Sequence, residues 1–269
     1  MKADTHYYEI GGWPVAITFC ESYKDKVDDL LPSYAQFEIQ SLEEKPLLSM
    51  YVEDSLEIEC DDYITSIGIF KSENGNVIVD RRKSGGFQIQ ILNVKGVKCA
   101  LLQTSYDFSE CHCCMYGTES ERLQGIKSAL MISYAFAGSL HDTLMFHASA
   151  VMHEGSGYMF IAPSGTGKST HSQNWIRMIP GTKLLNDDTP IVRLTNRQVR
   201  IYGSPWSGKT PCYRNICVPL KGVARIERAT ENRIIKKEGV DAFASLLIAC
   251  AIMKREKTAE SDEPPPSSR

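Results

Sequence analysis

The segment from Tyr158 to Thr170, YMFIAPSGTGKST, constrains this chain more than any other. An apolar run (Tyr158 to Ile161) enters a glycine-bearing turn and a helix begins near Lys168, the context in which a GxxxxGK[ST] loop folds. Gly165 and Gly167 allow backbone conformations that a Cβ forbids, so successive N–H groups can converge on phosphate oxygens. The helix sets its positive end at the same point. Lys168 supplies a full charge for β- and γ-phosphates, and the Ser169 hydroxyl can enter the shell of Mg²⁺. The expected nucleotide site is therefore Ala162, Pro163, Ser164, Gly165, Thr166, Gly167, Lys168, Ser169 and Thr170. Ala162 replaces the first glycine of the pattern, a small change where the strand closes.

One helix downstream, Lys183-Leu-Leu-Asn-Asp-Asp188 reads as a short strand that ends in two carboxylates. Adjacent acids usually belong to a solvated turn. Here a strand neighbouring the first would carry Asp187 or Asp188 to the phosphate loop, where one carboxylate can hold Mg²⁺ and the other can accept a proton.

The combination of Phe146-His147-Ala-Ser, Ser164-Gly-Thr-Gly-Lys-Ser169 and Asn186-Asp187-Asp188 resembles the HPr kinase/phosphorylase catalytic domain, a family related to ATP-dependent phosphoenolpyruvate carboxykinase. The resemblance covers roughly residues 141 to 228. It implies a P-loop domain with a mixed sheet, ATP and Mg²⁺ as nucleotide and cofactor, and a cytoplasmic kinase. It makes Lys168 the phosphate clamp, Ser169 the metal-bound hydroxyl and Asp188 the base toward an acceptor hydroxyl. His147 becomes an active-site imidazole near the transferred group, and Asp187 a metal partner or an orienter of Asp188. The chain departs from the family around residues 200–206, where Arg200 and Tyr202 stand in place of an acidic metal ligand and an arginine.

The rest of the chain reads as α/β (α+β) in three parts. Residues 1–115 form a β-rich region of short alternating runs, expected as an antiparallel sheet with one wet face. Trp13 to Phe19, Tyr63 to Phe70, Asn76 to Val79, Phe87 to Ile91 and Val97 to Leu102 are its strands, with turns at Asn74-Gly75 and Ser84-Gly85-Gly86. Residues 116–253 form the P-loop part, with helices over about Glu119 to Leu140 and Val240 to Ile252. Residues 254–269 are charged and proline-rich, the composition of a disordered tail.

With 30 Lys+Arg against 33 Asp+Glu, the chain lacks the basic excess that coating nucleic acid or an anionic membrane requires. The run from Ser128 to Leu140 is too short to cross a bilayer, and the first residues do not form a leader with an apolar core. Nine cysteines without regular spacing argue against a disulfide framework. Cys111-His-Cys-Cys114 places its ligands too close together for one tetrahedral zinc. Gly203 to Lys209 reads either as a surface turn or as a lip over the phosphates, with Lys209 or Arg214 neutralising γ-oxygen charge. Trp175, Ile176 and Ile179 are expected on the buried face of the loop's helix.

The expected function is an ATP-dependent phosphotransferase acting on a hydroxyl of a protein, peptide or small molecule. A carboxykinase-like reaction on a small organic acid and a non-catalytic nucleotide-binding module are the alternatives. The first half is expected to select the acceptor without touching the nucleotide, and the self-association state is left open.

Overall fold

A computed structural model of the chain describes residues 4–23, 26–60, 63–72, 74–208 and 210–250. It is strand-rich and mixed α/β, built on two mixed sheets. The proline-rich tail and Lys209 lie outside the described residues.

The first sheet holds β1 (Asp4–Ile10), β2 (Trp13–Phe19), β3 (Glu38–Ile39), β4 (Leu48–Glu53), β5 (Ile64–Ser72), β6 (Gly75–Arg82), β7 (Phe87–Leu92), β8 (Lys98–Thr104) and β9 (Glu110–Met115). They are ordered β3-β1-β2-β4-β9-β8-β7-β6-β5. Alternation along β4 puts Leu48, Met50 and Val52 inside, the pattern of a sheet with one covered face. The sheet is not wholly antiparallel as expected: β4 runs parallel to both β2 and β9. A parallel step needs a long connection, and the chain between β2 and β4 provides it, including α1 (Val27–Leu30) and a 3-10 helix over Pro32–Phe37. The Asn74-Gly75 turn requires its glycine. Gly75 has φ +131°, and a Cβ there would lie 2.0 Å from the Leu92 carbonyl oxygen.

The helix α2 (Glu119–Ser139) covers the buried face. Its start is fixed by a capping box: Glu121 N–H donates to Thr118 Oγ1, and Thr118 N–H donates to the Glu121 carboxylate at 2.8 Å. Ile126, Ala129, Leu130 and Tyr134 are buried beneath it, with each large side chain contributing about 1.5–3 kcal/mol.

The second sheet follows: β10 (Thr143–Met145), β11 (Ala148–His153), β12 (Ser156–Ile161), α3 (Lys168–Met178), β13 (Lys183–Asp188), β14 (Ile191–Thr195), β15 (Gln198–Tyr202), β16 (Cys217–Arg225) and α4 (Gly239–Ala249). Its order is β10-β14-β15-β16-β12-β11-β13. The two sheets share a core, because Met145, Ile191 and Trp206 belong to the same buried cluster as β1, β2, β4 and α2. Polar contacts reinforce the join at the β1–β2 hairpin. Tyr134 donates to the Ile10 carbonyl at 2.7 Å, Trp13 Nε1 donates to Thr143 Oγ1 at 2.9 Å, and Arg193 donates to the Gly12 carbonyl at 2.8 Å while stacking over Trp13.

Among the described residues no helix is long and apolar enough to cross a membrane. The Cys-His-Cys-Cys run lies on β9 with Cys111, Cys113 and Cys114 buried. Burial pushes the Cys111 thiol up to about 12.

Candidate active site

Three chain segments converge at one end of the second sheet. The register pairs Ala148 with Ile161 on one side and with Asp188 on the other. The end of β12, the start of β11 and the end of β13 therefore lie side by side. The expectation that β13 neighbours β12 is corrected: β11 lies between them. That inserted strand brings His147 between the loop and the acid pair.

The loop from Ala162 to Gly167 leaves β12 and closes with Gly167 as the N-cap of α3, in the left-handed region at φ +117°. Gly165 has φ +73°. A Cβ on either glycine would have no heavy atom within 4 Å. Glycine is thus demanded by backbone conformation, and the space in front stays open. The first turn of α3 has no capping side chain and no acid, so its N–H groups face that space. Ser169 and Thr170 are exposed there, with Pro163 and Ser164 exposed on the loop. Arg228, just beyond β16, donates to the Gly165 carbonyl at 2.9 Å. Sequence reasoning missed Arg228, since only the parallel pairing of β16 with β12 carries it there.

Lys168 is buried and donates to the Ala162 carbonyl at 3.0 Å and to His147 Nε2 at 3.0 Å. An ammonium can only donate, so Nε2 is the acceptor and the ring proton of a neutral His147 sits on Nδ1. That nitrogen faces Asp188 Oδ1 at 3.2 Å. The result is a continuous chain from Lys168 through His147 to Asp188. Burial alone would raise the Asp188 carboxyl, but hydrogen bonds from His147 and Thr189 and the charge of Lys168 outweigh it and hold it below its ordinary value.

The two acids point to different sides. Ser149 pairs with Asp187 across β11 and β13, and the Ser149 hydroxyl meets Ser172 of α3 at 2.6 Å. Directly opposed residues share a face, so Asp187 lies on the face that α3 covers. Asn186 and Asp188 take the other. Asp187 is buried, and its carboxylate has no hydrogen bond or ion pair among the described residues.

On the far face, Asn186 ties the strand to residues 204–206. Its fully buried Nδ2 donates to Trp206 O at 3.0 Å and Ser204 Oγ at 3.2 Å, and its Oδ1 accepts from Thr189 N–H at 2.8 Å. Thr189 Oγ1 donates to Asp188 Oδ2 at 2.9 Å, and Asp188 bridges Ser207. These contacts hold Asp188 at φ +151°, a conformation non-glycine residues rarely adopt.

The Gly203 loop departs from the surface-turn expectation, because Gly203, Ser204, Pro205 and Trp206 are all buried. It backs the acid pair. Arg214 lies by the Cys212 thiol. Arg200 donates to Cys217 Sγ at 2.8 Å. Trp175, Ile176 and Ile179 are half-buried, with Trp175 packed on Tyr158 and Phe160.

No protein-family model matches the chain, and a search among curated proteins finds no match.

Proposed function

We propose that this chain is an ATP-dependent phosphotransferase of the HPr-kinase-like type, acting on a hydroxyl acceptor, with a P-loop domain over the second sheet. The observation that carries the reading is the Lys168–His147–Asp188 chain at the mouth of a glycine loop. The triphosphate lies along residues 162–170, where open glycines, the α3 N-terminus, Lys168 and Arg228 offer donors and positive charge to the phosphates.

The residues fit Mg²⁺. Among the described residues no three or more His, Cys, Asp or Glu gather as a metal cluster, and Mg²⁺ in kinase sites typically takes one or two carboxylates plus phosphate oxygens and water. Asp187, buried and unpaired on the α3 face, and the exposed Ser169 hydroxyl would hold it. When bound, it neutralises phosphate charge during transfer.

Asp188 faces the acceptor. The acceptor oxygen forms a bond to the γ-phosphorus as the bond to the β,γ-bridging oxygen breaks, that electron pair leaves with ADP, and the acceptor proton passes to Asp188. His147 fixes the carboxylate's orientation through Nδ1 and keeps it ionised. Asp188 is a weak base, which suits a loose transition state in which the proton leaves late.

Calorimetric titration of ATP·Mg²⁺ into wild type and Lys168→Ala tests the reading. Loss of measurable binding in a folded variant is expected, because the β- and γ-phosphates lose their one lysine at the loop. Unchanged affinity would remove the proposal.

A further inference from the structure

Asp188 also forms part of the wall of a cleft of about 380 Å³ on the side away from α3. One wall is a single face of α2: Gln124, Lys127, Ser128 and Met131 recur at the spacing that aligns side chains on a helix. The facing wall is Pro205, Trp206, Ser207 and Tyr213. Trp206 packs on Tyr134, one turn beyond Met131, and Ser207 bridges Asp188, so Asp188 lies toward the Met131 end. Gln124 donates to the Asn74 carbonyl at 2.7 Å, which puts the β5–β6 turn at the other end.

Among the described residues, the charged groups in this lining are Asp188 and Lys127. Lys127 is half-buried, and among the described residues no acid or carbonyl pairs with its ammonium. Three and four residues away along α2 stand Leu123, Gln124, Leu130 and Met131, none of them acidic. A half-buried cation without a partner among the described residues, sharing its cleft with a carboxylate, calls for an anion supplied by the ligand. The volume is at the small-molecule end of ligand pockets, and the lining mixes apolar walls with a few polar groups, as such pockets do.

We infer that this cleft is the acceptor site and takes a small hydroxy carboxylate, its carboxylate on Lys127 and its hydroxyl toward Asp188. The inference rests on the phosphotransferase reading for the reaction, not for the binding. The acceptor oxygen becomes bonded to the γ-phosphorus, ADP leaves with the electron pair of the broken P–O bond, and the hydroxyl proton goes to Asp188.

The test is calorimetric titration of the full chain, without nucleotide, with glycolate, lactate, glycerate, 3-hydroxybutyrate, serine and malate, and with matched alcohols that lack the carboxylate. Lys127→Met keeps the side chain's length and removes its charge, and Lys127→Arg keeps the charge. At least one acid should bind wild type and the arginine variant, weaken tenfold or more in Lys127→Met, and become labelled from γ-labelled ATP. No binding by any acid, or equal binding in Lys127→Met, overturns the site. Phosphorylation of a serine-bearing peptide at a rate indifferent to Lys127 also overturns it while leaving the kinase reading intact. Lys127-dependent binding of an acid that is never phosphorylated, although ATP binds, upholds the site and removes the kinase reading.

Discussion

His147 Nδ1 lies 3.2 Å from Asp188 Oδ1, with His147 just ahead of β11 and Asp188 at the end of β13. The pairing makes acid sensitivity a readout of geometry. The Asp188 carboxyl sits below its ordinary value of 3.8, so its contribution to stability is present above that value and is lost as pH falls through the folded value. His147→Ala removes a hydrogen bond to the carboxylate while burial, which raises the carboxyl, remains. The acid limb of transfer activity should therefore move to higher pH in the variant. A carbon-detected titration of the Asp188 carboxyl checks the same shift without turnover, and superimposable wild-type and variant curves would contradict the electrostatic role.

The opposite orientation of the two acids predicts separable defects. Asp188→Asn should retain ATP and lose transfer by about two to four decades, the range for removing a general base. Asp187→Asn should instead raise the Mg²⁺ concentration needed for half-maximal rate, since it takes a carboxylate from the α3 face. Steady-state kinetics over a Mg²⁺ series separates them. Matching effects of both substitutions on nucleotide affinity would mean that the pair serves only the metal.

Asn186 is the structural hinge of the site. Truncation to alanine leaves the Thr189 N–H without its acceptor, at about 1–3 kcal/mol, and takes one donor from Trp206 O and Ser204 Oγ, which stay bonded to each other, at about 1 kcal/mol more. We expect Asn186→Ala to lower unfolding stability by about 2–4 kcal/mol in urea, and to slow transfer in the folded fraction because Thr189 and Ser207 no longer hold Asp188. A variant within 0.5 kcal/mol of wild type, a margin typical of exposed positions, would mean that water replaces these bonds.

Local chemistry made parts of this site legible. The loop announces itself because its conformations require Gly165 and Gly167, and Trp13–Phe19 reads as a strand because Val15, Ile17 and Phe19 alternate, and all three are buried. The contacts across strands were not legible. Nothing between residues 147 and 188 says that β11 enters the sheet between β12 and β13, yet that insertion seats His147 against Lys168. Arg228 was hidden for the same reason. The parallel steps at β4 were missed because alternation reports which face is wet, not strand direction. The Gly203 loop reads from sequence as either a surface turn or a lip over the phosphates, whereas Asn186 and Ser204 anchor its backbone inside the protein.

The two glycines of α2 predict opposite outcomes for one substitution. Alanine normally stabilises a helix interior by about 1 kcal/mol over glycine. At Gly138 the added Cβ would meet Thr143 at 3.4 Å, an ordinary contact, so Gly138→Ala should be stabilising by about 0.5 kcal/mol, reduced from the interior value by its place in the last turn. At Gly125 the same atom would lie 2.5 Å from the Cys99 carbonyl oxygen and 2.8 Å from its carbon. Backbone in a central strand cannot step aside without moving α2 off β8, an overpacking cost of about 1–3 kcal/mol or more that exceeds the propensity gain. Gly125→Ala should therefore be destabilising by up to about 2 kcal/mol, the difference between those two estimates. Because α2 also lines the proposed acceptor cleft through Gln124 and Lys127, its displacement should weaken acceptor binding more than ATP binding. Urea unfolding of both variants decides the packing claim, and the same sign of change in both would show that α2 does not approach β8 this closely.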